Sequence, residues 1–234
     1  RLIGAVPGEC VLDGGGREIV LVESTGDFDE ATAFRDVKIS NLVFRNAKGG
    51  VLRNVFAWST ENEITNSLFH DLTGQAIYME WTSGRTYIAQ NTVVNCGEGI
   101  VTCCYNPFSD ATAQFTIQNN IVANCSGRGI WLSGIGELFD DPPTPGQASG
   151  YNTVWNCSPN FSGAGDDTIS YETNRLPGEK VADPKLGPDF RPAPDSPVLR
   201  NGALATLNAD GSRRDRGALI GNLFIPVANS WVLY

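Results

Sequence analysis

Lysine and histidine are nearly missing from this chain. Its 234 residues include only four lysines (Lys38, Lys48, Lys180, Lys185) and one histidine, His70. A lone histidine with no Cys-x-x-Cys pair argues against a zinc site. It also gives no basis for a serine–histidine–aspartate triad. Nucleic-acid binding needs clustered Lys and Arg facing phosphates. Here the basic residues are dispersed, and the densest group, Arg213, Arg214 and Arg216, has Asp210 and Asp215 beside it. Charged residues make up only 18 % of the chain and hydrophobic residues 41 %, which is not the composition of a disordered segment. No apolar run nears the ~18–20 residues of a membrane span. The Ala, Glu, Lys, Leu and Arg richness of a long helix or coiled coil is absent as well.

Glycine and asparagine are plentiful instead, with 26 Gly and 19 Asn. Both tolerate the left-handed backbone of tight turns, so the composition points to short strands joined by many turns. At about 150 residues per domain, the length allows one domain, at most one and a half. The formal charge is −9. A chain opening on Arg1 is expected to be a mature or trimmed product, its leader already removed.

The chain repeats itself. Ile39-Ser-Asn-Leu-Val-Phe-Arg-Asn46 returns as Ile64-Thr-Asn-Ser-Leu-Phe-His-Asp71 and as Ile88-Ala-Gln-Asn-Thr-Val-Val-Asn95. It returns again as Ile117-Gln-Asn-Asn-Ile-Val-Ala-Asn124, and more loosely as Ser149-Gly-Tyr-Asn-Thr-Val-Trp-Asn156. The sixth residue is always apolar: Phe44, Phe69, Val93, Val122, Val154. The eighth is Asn46, Asp71, Asn95, Asn124, Asn156, and the ninth Ala47, Leu72, Cys96, Cys125, Cys157. A glycine turn and a second strand signal follow, as in Gly97-Glu-Gly-Ile100 and Gly127-Arg-Gly-Ile130. One such unit cannot bury its apolar face alone, whereas stacked units can.

The pattern Ile-x-Asn-x-x-Phe/Val-x-Asn followed by Gly-x-Gly-Ile resembles the repeat of right-handed parallel β-helix proteins. Pectate lyases, alginate lyases, polygalacturonases and many phage and surface proteins belong to that group. Val11-Leu-Asp-Gly-Gly-Gly16 resembles an early coil. Asp183-Pro-Lys-Leu-Gly-Pro-Asp-Phe-Arg191, Ser196-Pro-Val-Leu199 and Asp215-Arg-Gly-Ala218 resemble the closing segment of secreted bacterial members. The resemblance implies an all-β, single-stranded right-handed parallel β-helix of about five to six coils. Residues 1–182 would form the coils, and residues 183–234 an irregular closing segment of the same domain. The row from Asn46 to Asn156 would be a buried structural ladder bonding turn amides of successive coils.

Six cysteines invite a disulfide reading. Cys96, Cys125 and Cys157 share one repeat position, however, so they should stack ~4.8 Å apart. A disulfide needs Cβ atoms at ~3.5–4.5 Å, which favours an inward row of free thiols. A bond between adjacent Cys103 and Cys104 would be strained. His70 falls in a mixed row with Arg45, Val94, Ala123 and Trp155, expected to be an ordinary exposed surface row.

Chemistry, if present, is expected on the second strand of each repeat. With Leu52, Ile77, Ile100 and Ile130 inward, alternation points Arg53, Tyr78, Val101 and Trp131 outward. Val55, Glu80, Cys103 and Ser133 follow on the same side. Tyr78, Trp81 and Trp131 could stack on sugar rings, while Arg53 and Glu80 offer hydrogen bonds. The bland alternative is that these are ordinary outward side chains partly covered by loops. By resemblance to the lyases, the face would bind and in an active member cleave an acidic polysaccharide, with Arg53, Glu80 or Arg85 as catalytic candidates. A lyase needs a base beside the scissile bond, and the lysine shortage withholds a convenient one. Asp27, Asp29 and Glu30 form an acidic loop that could supply oxygen ligands to Ca²⁺, though solvated loops of this charge are common. No cofactor is required by any motif. The resemblance implies a secreted or cell-surface protein. Its other reading is a non-enzymatic subunit of an extracellular fibre or spike, self-associating end to end through the solenoid ends. A third is a scaffold segment of a larger protein.

Overall fold

The fold was analysed in a computed structural model, which describes residues 1–5, 9–26, 36–103, 114–133, 150–164, 175–203 and 212–218. Fourteen strands are found there, and every strand pairs with its neighbours in parallel. Three of them are long and turn corners: β2 (Cys10–Gly26), β4 (Leu42–Thr65) and β6 (Gln75–Ala89). The others are short, and the chain winds as an all-β parallel solenoid with three strand rows per coil.

The first row runs through β2, β4, β5 (Leu68–Leu72), β7 (Thr92–Val94), β10 (Ile121–Ala123), β12 (Thr153–Trp155) and β14 (Lys180–Val181). In register it stacks Phe44, Phe69, Val93, Val122 and Val154, each with no exposed surface. The Phe44 and Phe69 rings lie parallel with centroids 4.5 Å apart. The second row joins β4, β6, β8 (Glu98–Cys103), β11 (Ile130–Ser133) and β13 (Phe161–Ala164). The third joins β1 (Leu2–Ile3), β3 (Val37–Ser40), β4, β6 and β9 (Gln114–Gln118), and it stacks Ile39, Ile64, Ile88 and Ile117. The repeat position of each apolar residue therefore predicts its place in the core.

Asparagines hold the corners, in a different way from the sequence expectation. The ladder Asn46, Asp71, Asn95, Asn124, Asn156 exists, and every member has positive φ, between 51° and 57°. It is exposed, however, not buried. The buried ladder lies at the fourth repeat position: Asn91, Asn120 and Asn152 are fully enclosed. The Asn120 Nδ2 donates to the Ile88 carbonyl at 2.9 Å, and its Oδ1 accepts from the Asn91 backbone N–H at 2.9 Å. Asn152 repeats the arrangement one coil on, with bonds to the Ile117 carbonyl and the Asn120 N–H. The eighth-position side chains instead project from left-handed turns towards water.

The described part of the closing segment, 183–203 and 212–218, packs against the coils, with Phe190 on the outward face of the first row. Phe190 covers Val43 and Leu68 and lies against the His70 ring, centroids 4.7 Å apart. His70 is thus buried, with its Nδ1 2.8 Å from Asp71 Oδ2, and is not the open surface residue its row suggested. Arg216 is buried at the same interface. Its guanidinium donates to the Asn152, Gly178 and Asn201 carbonyls and to Thr153 Oγ1 at 2.8–3.0 Å. Burial pulls its pKa down to about 10, so it stays charged at neutral pH.

Candidate functional site

The second row presents its outward face as Leu52, Tyr78, Val101, Trp131 and Ser162, in register from coil to coil. This corrects the expected alternation at one point. Val51, not Leu52, joins the inward row of Ile77, Ile100 and Ile130. Arg53 consequently turns inward beside Met79, Thr102 and Leu132 and has no exposed surface. Burial lowers its pKa, while the charge of Asp36 works the other way. The same shift puts Asn54, not Val55, level with Glu80 and Cys103. The missed signal is glycine. Gly50, Gly99 and Gly129 each precede the inward residue where the chain crosses the core. A methyl group at Gly99 would meet Val122 Cγ1 at 2.5 Å, and one at Gly129 would meet Val154 Cγ1 at 2.5 Å. Gly50 holds the equivalent place against the Phe69 ring, and so marks Val51 as the inward residue.

Tyr78 and Trp131 remain where the alternation put them, outward and half-buried. They lie two coils apart, which places them about 10 Å apart along the solenoid axis. Val101 sits between them in register and is covered. The Trp131 ring carries the Arg128 guanidinium 5.0 Å from its centroid, a distance at which a cation is attracted to the ring face. Arg128 Nε also reaches Glu98 Oε1 at 2.5 Å, and Gln75 Nε2 donates to Glu98 Oε2 at 2.8 Å. Burial opposes the charge on Glu98, but the bonds from Arg128 and Gln75 outweigh it and hold its carboxyl below its usual pKa.

Glu80 stands two residues after Tyr78, half-buried on the same side of β6. Trp81 follows it on the backbone of β6, with its side chain outside the described residues. Arg85 belongs to the third row, in register with Glu61 and Gln114, and is exposed there, away from Tyr78 and Trp131. The structure thus joins Trp131 with Arg128, Glu98 and Gln75, keeps Tyr78 and Glu80 in the same strand row, and separates Arg53 and Arg85 from them. Asp27, Asp29 and Glu30 lie outside the described residues. Among the described residues no group of three or more His, Cys, Asp or Glu is placed to hold a metal ion. No helix there is long and apolar enough to cross a membrane.

The thiol row borders open space that its inward placement did not predict. Cys96, Cys125 and Cys157 line an open groove of about 670 Å³ at the turn between first and second rows, rimmed by Asn95, Asn124 and Asn156. All three thiols are free. Burial pushes Cys96 up to about 12.

Winding, register and repeat define a right-handed parallel β-solenoid of the pectate-lyase-like kind. The chain belongs to the right-handed β-helix region family, which matches residues 10–140. No curated protein and no solved structure matches it.

Proposed function

We propose that this protein binds a glycan along the outward face of its second strand row, in an extracellular setting. The observation that carries the reading is the pair Tyr78 and Trp131, two flat rings on one face at a fixed axial separation. Rings so spaced suit alternate sugar residues of an extended chain lying along the solenoid axis. Glu80 and the Gln75–Glu98–Arg128 set supply hydrogen-bonding groups beside them. Arg128 is already held by Glu98, and Arg53 is turned into the core. Among the described residues this part of the face therefore offers rings and hydrogen bonds more than positive charge. That balance favours neutral sugars over uronates here, and binding over elimination.

Calorimetric titration with neutral and uronate oligosaccharides tests the reading. Trp131→Ala should weaken the best ligand roughly tenfold, the scale of one lost aromatic contact. Failure of every glycan to bind, or equal binding by a variant lacking both Tyr78 and Trp131 rings, rejects it. Ultraviolet absorbance from new unsaturated ends, with and without Ca²⁺, reports any lyase activity.

End-to-end stacking is the second reading, supported by one observation. Among the described residues β1 and β2 each pair on one edge, and Ile3 and Ile19 beside those edges are 56 % and 40 % exposed. Concentration-dependent sedimentation would support it, and monomers throughout would reject it.

A further inference from the structure

Among features the glycan reading leaves unused, the thiol row stands out. Ser126 N–H donates to the Cys96 carbonyl at 3.0 Å, which locks these two coils in step. The register Val122↔Val154 and Ala123↔Trp155 carries on through the turn to set Cys125 beside Cys157. Cys96 and Cys125 belong to the apolar core, and Cys157 packs against it from a half-buried position. All three open on the same groove. The Cys125 and Cys157 thiols donate to the Ala123 and Trp155 carbonyls at 3.9 and 3.4 Å, the same arrangement one coil apart.

We propose that Cys125 and Cys157 bind a soft monovalent cation, Cu(I), between two coils in linear S–Cu–S coordination. The coil spacing of ~4.8 Å exceeds the ~3.5–4.5 Å between Cβ atoms of a disulfide. One metal ion bonded to two thiolates holds their sulfurs about 4–5 Å apart, within reach of side chains stacked one coil apart. Thiolate ligands select Cu(I) among the common metals. Zinc would need four ligands in a tetrahedron, and a row that offers one thiol per coil does not supply them. On binding, both thiols lose their protons to solvent, two S–Cu bonds form, and no electron moves because copper enters already reduced. The cation displaces both protons, which leave through the groove, so binding weakens as pH falls. The groove is the entry path.

The experiment presents Cu(I) as its coloured bicinchoninate complex to the intact, reduced protein under nitrogen. One equivalent should be withdrawn, seen as lost colour, with two protons released. Cys157→Ser should withdraw none. Cys125→Ala should behave likewise, and Ala47 at the same repeat position shows that alanine fits there. Cys10→Ser should withdraw as much as the parent. X-ray absorption on the loaded parent should show two sulfur neighbours. The proposal is overturned by no withdrawal or by undiminished withdrawal in Cys157→Ser. Nitrogen or oxygen neighbours at the copper overturn it too, as does a Cys125–Cys157 disulfide in the protein as isolated.

Discussion

Asn120 and Asn124 are four residues apart and do different work. Asn120 bridges coils from inside, accepting from the Asn91 N–H and donating to the Ile88 carbonyl. Asn120→Ala strands both groups in a water-free corner, and each buried unsatisfied group costs about 1–3 kcal/mol. We expect a loss of roughly 2–4 kcal/mol in urea unfolding. Asn124 holds a φ of 57° at an exposed turn, and its side-chain Oδ1 accepts from Asn156 Nδ2 at 2.9 Å. Glycine adopts that backbone freely, so Asn124→Gly should change stability by less than about 1 kcal/mol. A comparable loss at both positions would contradict the distinction between ladders. Glu98 makes a pH prediction. Its folded pKa lies below the ordinary 4.5. A lowered carboxylate stabilises fully above its unfolded pKa and loses that contribution as pH falls through the folded value. Glu98→Gln should therefore flatten the loss of stability below about pH 4.5, by under about 1 kcal/mol because the pair is partly exposed and screened. Parallel urea titrations of parent and variant from neutral to acid pH measure it.

At the scale of elements, repeats were legible and interfaces were not. Ile39, Ile64, Ile88 and Ile117 could be aligned by sequence because each repeat copies its predecessor's environment. The inward turn of Arg53 was hidden because Val51 and Leu52 are both apolar, so alternation alone allows either phase. Only the steric role of Gly50 decides it. The burial of His70 was hidden for another reason: Phe190, which covers it, lies 120 residues later in the chain. No local pattern encodes such a contact. The same holds for Arg216, which ties the closing segment to the coils through Thr153 Oγ1 and the Asn152 and Gly178 carbonyls. Arg216→Met keeps most of the apolar stem but removes the donors to the Gly178 and Asn201 carbonyls, while the Asn152 carbonyl keeps the Lys180 N–H. It should cost about 2–4 kcal/mol, since each buried group left unpaired costs about 1–3 kcal/mol. It should also release the segment first, so limited proteolysis would cut within 183–203 before cutting any coil. Simultaneous digestion of coils and segment would show that Arg216 does not join them.

For the whole molecule, the consequence of winding is that stability is passed from neighbour to neighbour. Apart from the closing segment, which lies across several coils, each coil contacts the coils on either side, so a solenoid behaves nearly as a one-dimensional array. A strand with partners on both edges opens only when two interfaces break, while β1 and β2, paired on one edge among the described residues, lose one. Local openings therefore grade along the axis, with free energies rising towards the global value in the middle. The middle here is the stretch from β5 to β10, where Phe69, Val93 and Val122 stack without exposed surface and Asn91 and Asn120 lock the corner. Hydrogen exchange followed by mass spectrometry should find amides of 86–101 and 117–123 slowest, and those of 2–4 and 10–22 fastest. Cu(I) between Cys125 and Cys157 would then slow exchange in β10, β12 and the turns between them, because the metal adds a bond across one coil interface. Glycan on Tyr78 and Trp131 would slow β6, β8 and β11 instead. The two ligands thus protect different strand rows of the same coils, and one exchange experiment separates the two proposals. Uniform exchange along the axis would mean that the solenoid opens as a single unit, and the neighbour-by-neighbour account would be wrong.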